Sequence, residues 1–78
     1  MLHVTCNELL FRGDLAIERG DRDELARVAL QLSARIGDPI ALQLVELARD
    51  CHRRKGAAIE AWPRLRSAVE DRIAIAGT

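Results

Sequence analysis

Ile36-Gly37-Asp38-Pro39-Ile40 lies at the midpoint of the 78-residue chain. Glycine can take the left-handed conformation that stops a helix. Aspartate can cap the next one, and proline suits a first helical position because its missing N–H is not needed there. These five residues therefore read as one helix ending and another beginning. The same punctuation recurs on either side, at Gly20-Asp21 and at Lys55-Gly56. Four amphipathic stretches result, with almost no sequence left over. Short connections make sequential helices antiparallel neighbours. The sequence thus predicts an all-α fold over a single domain of residues 1–78, either a small antiparallel four-helix bundle or two stacked helical hairpins.

Each stretch carries its own signals. Thr5 followed by Glu8 forms a capping box, with Val4 and Leu9 at the positions of a hydrophobic staple. Leu10, Leu15 and Ile17 mark an apolar face, with Phe11 beside them, and Gly20 ends the helix. Gly13 costs about 1 kcal/mol inside it relative to alanine, which predicts a kink or the close approach of another helix. Asp21 caps the second stretch, and Asp23 and Glu24 complement the positive end of its dipole. Leu25, Val28, Ala29, Leu32 and Ile36 form one stripe on it; Ala26, Leu30 and Ala34 form a second. A helix with two apolar stripes is central in its bundle or offers one face to a partner. In the third stretch Ala41, Leu44, Val45, Ala48 and Cys51 share a face that Ile40 and Leu47 widen, and the helix closes on His52-Arg53-Arg54-Lys55. Trp62, Leu65, Val69, Ile73 and Ala76 give the fourth its stripe. Pro63 disfavours a helical Trp62, so a turn at 57–61 and a main helix from 63 are expected.

Composition narrows the function. Apolar residues make up 49% of the chain, but Phe11 and Trp62 are its only aromatics. A core of Leu, Ile, Val and Ala in so short a chain is thin, and such domains often complete their burial against a second copy or a partner. Twelve basic residues balance twelve acidic ones, so no net field draws the chain to nucleic acid or anionic lipid. Residues Met1 to Thr5 lack a leader signature, and no apolar run reaches membrane-spanning length. A cytoplasmic protein with no membrane partner is expected.

Chemistry-bearing groups are sparse. His3, Cys6, Cys51 and His52 are possible metal ligands. In an up-down bundle, however, the start of the first helix and the end of the third lie at opposite ends of a helix roughly 22 Å long. That separation excludes a shared ion and a Cys6–Cys51 disulfide alike. No nucleophile and base are paired, and there is no glycine-rich phosphate loop. The expectation is a non-enzyme with no cofactor and no metal.

Three short stretches resemble known families. Ile36-Gly37-Asp38-Pro39-Ile40 with Leu44-Val45-Glu46-Leu47 is similar to the early helices of winged-helix repressors. That resemblance implies DNA binding, yet the second helix of the motif would present Ile40, Leu42 and Gln43, which offer little to base edges. Ala16-Ile17-Glu18-Arg19-Gly20-Asp21, then Asp23-Glu24-Leu25-Ala26-Arg27-Val28-Ala29, resembles the approach to the active helix of histidine phosphotransfer domains. Leu30 stands where that family has its phosphorylatable histidine, which implies a degenerate, non-phosphorylated docking domain. Ala58-Ile59-Glu60-Ala61-Trp62 is similar to the second helix of a tetratricopeptide repeat.

The expected function is a small helical protein–protein interaction module, a self-associating regulator, adaptor or chaperone-like subunit. Its partner is a protein or a second copy, as in a homodimer. Phe11, Ala26, Leu30, Ala34 and Trp62 are the candidate contact residues. The alternative from another class is a nucleic-acid-binding regulator using the basic cluster of residues 52–66, namely Arg53, Arg54, Lys55, Arg64 and Arg66.

Overall fold

A computed structural model describes residues 5–53 and 56–76, and among these it contains four helices and no strand. They are α1 (Cys6–Arg19), α2 (Arg22–Ser33), α3 (Ile40–His52) and α4 (Gly56–Ala76). Each packs on its neighbour in sequence, most extensively α2 on α3, and α4 returns to touch α1. The result is an antiparallel four-helix bundle. Its radius of gyration, 11.6 Å, equals the roughly 11.5 Å of a compact domain of this length.

The first two caps follow the sequence signals. The Glu8 N–H donates to Thr5 Oγ1 at 3.1 Å, and the Glu24 N–H donates to Asp21 Oδ1 at 3.1 Å. Gly20 adopts φ 65°, ψ 26°. Its N–H donates to the Ile17 carbonyl, and that of Asp21 to the Ala16 carbonyl. This pair of bonds satisfies the last carbonyls of α1 while the chain reverses. Val4 of the expected staple lies outside the described residues.

Four boundaries differ from expectation. Helix α2 stops at Ser33, before Ile36 and Gly37. The Ser33 hydroxyl donates to the Leu30 carbonyl at 2.7 Å and competes with the helical ladder, and the next turn tightens as the Arg35 N–H reaches Leu32. Asp38 does not cap α3. It precedes a cis bond to Pro39, which itself takes the cap position and leaves α3 without a side-chain cap. At the other end α3 closes at His52, and Gly56 begins α4 instead of ending α3; Arg54 and Lys55 are outside the described residues. Finally, α4 runs unbroken through Pro63. An interior proline costs about 3 kcal/mol, but Ala58 and Trp62 before it and Leu65 and Val69 after it are all buried in one core. Tertiary packing on both sides of the proline outweighs the local preference.

The core is aliphatic except for one residue. Leu9, Leu10 and Ala16 of α1 meet Leu25, Ala26, Val28, Ala29 and Leu32 of α2, with Leu44, Leu47, Ala48 and Cys51 from α3. Leu9 and Ala16 belong to the inner face of α1, while Leu15 and Ile17 are only half-buried. Trp62 fills the space between α4 and α1 at 2% exposure. Its ring lies so close over Gly13 that a Cβ there would stand 2.2 Å from Cζ2. The glycine expected to mark a close approach marks this one.

Gly13→Ala is expected to lower stability by about 1–3 kcal/mol, because the ring is buried and cannot yield cheaply. That loss exceeds the helix propensity gained, about 1 kcal/mol. Denaturant unfolding followed by Trp62 fluorescence measures it; a more stable variant would show that the ring moves freely.

Candidate functional site

One short polar network joins α4 to α1 at the edge of the core. Trp62 Nε1–H donates to Asp14 Oδ1 at 2.9 Å. Arg66 Nε donates to both oxygens of the same carboxylate, at 3.0 and 2.9 Å, and Arg66 Nη1 pairs with Glu70. The hydrogen bond to Asp14 pushes the Arg66 guanidinium pKa further up. Asp14 thus satisfies the indole and anchors α4 to α1, which is a structural task. No charged or polar residue is fully buried, and no buried side-chain N or O atom lacks a partner, among the described residues. No group of three His, Cys, Asp or Glu gathers there to hold a metal.

The two cysteines sit at opposite ends of the bundle. Cys6 stands at the start of α1, in a hollow with Ile36, Gly37 and Ile73; Cys51, at the end of α3, borders Gly20, Asp21 and Arg22. Both are free thiols. Burial pushes the Cys51 thiol pKa up, and nearby Arg22 pulls in the opposite direction more weakly. A thiol kept neutral in this way is a poor nucleophile. His3 lies outside the described residues.

Of the five candidate contact residues, two belong to the core. Ala26 is 1% exposed, covered where α2 packs on α3, and Trp62 is held on Gly13 by α1. Phe11, Leu30 and Ala34 are exposed. They do not form one patch. Phe11 points outward on α1, and the flank of α2 nearest α1 is marked by Glu24, which pairs with Arg12 at 2.6 Å. Leu30 is six residues beyond Glu24 and so turned about 120° away.

Leu30 instead borders a groove of about 310 Å³ between α2 and α3, walled by Val45, Ala48, Arg49, His52 and Arg53. Leu42, one turn before Val45 and two before Arg49, extends the same flank and is 61% exposed. Sequence periodicity missed Leu42 as a contact residue, although it falls outside the Ala41, Leu44, Ala48 stripe. The groove has an apolar floor and a cationic rim. Neither Arg49 nor Arg53 makes an ion pair among the described residues.

Among the described residues, the arginines expected to contact nucleic acid do not share one face. Arg53 lines the α2–α3 groove, whereas Arg64 lies across α3 in a hollow with Glu46 and Asp50. Arg66 is neutralised by Asp14 and Glu70. Arg54 and Lys55 are outside the described residues. No described helix is long and apolar enough to cross a membrane. No protein-family model matches the chain, and no curated protein or solved structure is significantly similar to it.

With the bundle intact, a maleimide is expected to label Cys6 quickly and Cys51 only as fast as the bundle opens. Mass spectrometry of Cys6→Ser against the wild-type chain reads the difference. Equal rates in the two would place Cys51 at the surface.

Proposed function

We propose that this chain is a non-catalytic protein-binding module whose working surface is the α2–α3 groove. The observation that carries the reading is the placement of Leu30 and Leu42, two large aliphatic side chains left exposed on either side of half-buried Val45. Single exposed leucines are ordinary on protein surfaces. Here Leu30 lines the groove with Val45, and Leu42 stands one helical turn before Val45 on α3; exposed apolar residues gathered in this way mark contact sites.

The groove also specifies its partner's chemistry. An amphipathic helix lays apolar anchors into such a groove, and Arg49, His52 and Arg53 along one edge favour carboxylates beside those anchors. Regulator, adaptor or chaperone-like roles all require only this much. Nucleic-acid binding lacks a comparable support, because the arginines it needs lie on different flanks or are already paired.

A photo-crosslinking residue placed at Leu42 is expected to give a protein adduct in cells, and one placed at exposed Glu18 of α1 is not. Adding Leu30→Glu should abolish the Leu42 adduct with helix content unchanged by circular dichroism. Equal adducts at positions 18 and 42 would overturn the reading. Loss of helix content in Leu30→Glu would instead assign Leu30 to the core.

A further inference from the structure

Resting on that reading, we infer that the partner is a second copy of this chain, docked through α3 in antiparallel orientation about a two-fold axis. The outer crest of α3 runs Leu42, Glu46, Arg49, Arg53 at spacings of four, three and four, which keeps all four within about 60° of one another. All four are exposed; Arg49 and Arg53 border the α2–α3 groove and Glu46 the α3–α4 hollow, and none of these three makes an ion pair among the described residues. One crest therefore holds an apolar and acidic half followed by a basic half. The partner that the groove calls for, an apolar helix face with adjoining carboxylate, is what the Leu42–Glu46 half supplies.

Orientation follows from charge. With the axis between Glu46 and Arg49, each Glu46 meets Arg49 of the other copy, twice over by symmetry. Leu42 then lies along the aliphatic stem of the opposite Arg53, and Leu30 and Val45 close toward the axis from both sides. A parallel arrangement would set Glu46 on Glu46 and Arg49 on Arg49, and like charges in contact are strongly disfavoured. The chain carries no net charge, so two copies approach without overall repulsion. A standard interface of about 800 Å² per partner would take roughly 15% of the 5187 Å² surface, an area one face can supply.

The test uses the full chain and sedimentation equilibrium over a concentration series in reducing buffer. The wild-type chain is expected to dimerise. Glu46→Arg and Arg49→Glu should each weaken the dimer at least about tenfold, with unchanged helix content. Mixing the two variants should restore association as a heterodimer, and the double variant Glu46→Arg/Arg49→Glu should dimerise like wild type. A wild-type chain that stays monomeric overturns the inference while a heterologous Leu42 adduct would still stand for the groove. A dimer dissolved by Leu30→Glu but indifferent to the charge reversals keeps the groove and overturns the antiparallel contact. A dimer that Leu30→Glu leaves intact overturns both.

Discussion

The bundle depends on one close contact, the indole of Trp62 lying on the backbone of α1 at Gly13. Helices α1 and α4 approach each other over only a short length, and the two ends of the chain would otherwise have little to hold them together. A large flat ring bridges the gap where no aliphatic residue could. The contact requires three residues at once. Gly13 removes the Cβ that would collide, Asp14 accepts the indole N–H, and Arg66 balances the carboxylate that this buries in part. Burying the ring without an acceptor would leave a desolvated donor at about 1–3 kcal/mol. The same contact fixes α4 as one helix, since Trp62 immediately precedes Pro63 and is locked in place by α1.

Features legible in the sequence are those decided within a few residues. Thr5 with Glu8, Asp21 with Glu24, and Gly20 with its left-handed turn act over one helical turn and behave as their local chemistry dictates. Gly37 and Asp38 carry the same residue types, yet both meet a partner distant in sequence. Arg72 reaches from the end of α4 to the Asp38 carbonyl at 3.5 Å, and nothing near position 38 announces that contact. Pro63 is the clearest instance: its local preference points one way and four buried neighbours on α4 point the other. The apolar face of α1 fails for a related reason. Its periodicity admits Phe11, but the ring required at Gly13 comes from α4 and rotates the inner face toward Leu9 and Ala16.

The contact surface was legible only in part, and in a consistent direction. The second stripe of α2 was visible as Ala26, Leu30 and Ala34, but a stripe does not say how much of itself a neighbouring helix will cover. The bundle buries Ala26 and leaves Leu30 and Ala34 exposed. Aromatics often anchor interfaces, but of the two in this chain the core takes Trp62 and leaves Phe11 exposed. Basic residues adjacent in sequence between 52 and 66 were dispersed by the turn between α3 and α4, which sends Arg53 and Arg64 to opposite flanks of α3. Charge clusters in sequence become surface patches only when they share a helix face.

Among the exposed large apolar residues, Phe11 and Ile75 stand on other helices, away from Leu30 and Leu42. Leu30 and half-buried Val45 line one groove, and Leu42 lies one helical turn before Val45. This difference bears on why α3 is built as it is. Its inner face is committed to Leu44, Leu47, Ala48 and Cys51, so any apolar residue beyond that arc adds nothing to the monomer core. A helix selected for bundle stability alone would place polar residues along its outer crest. Leu42 is 61% exposed, and Glu46 and Arg49 make no ion pair among the described residues. In the proposed dimer these residues act together, as complementary halves of one contact.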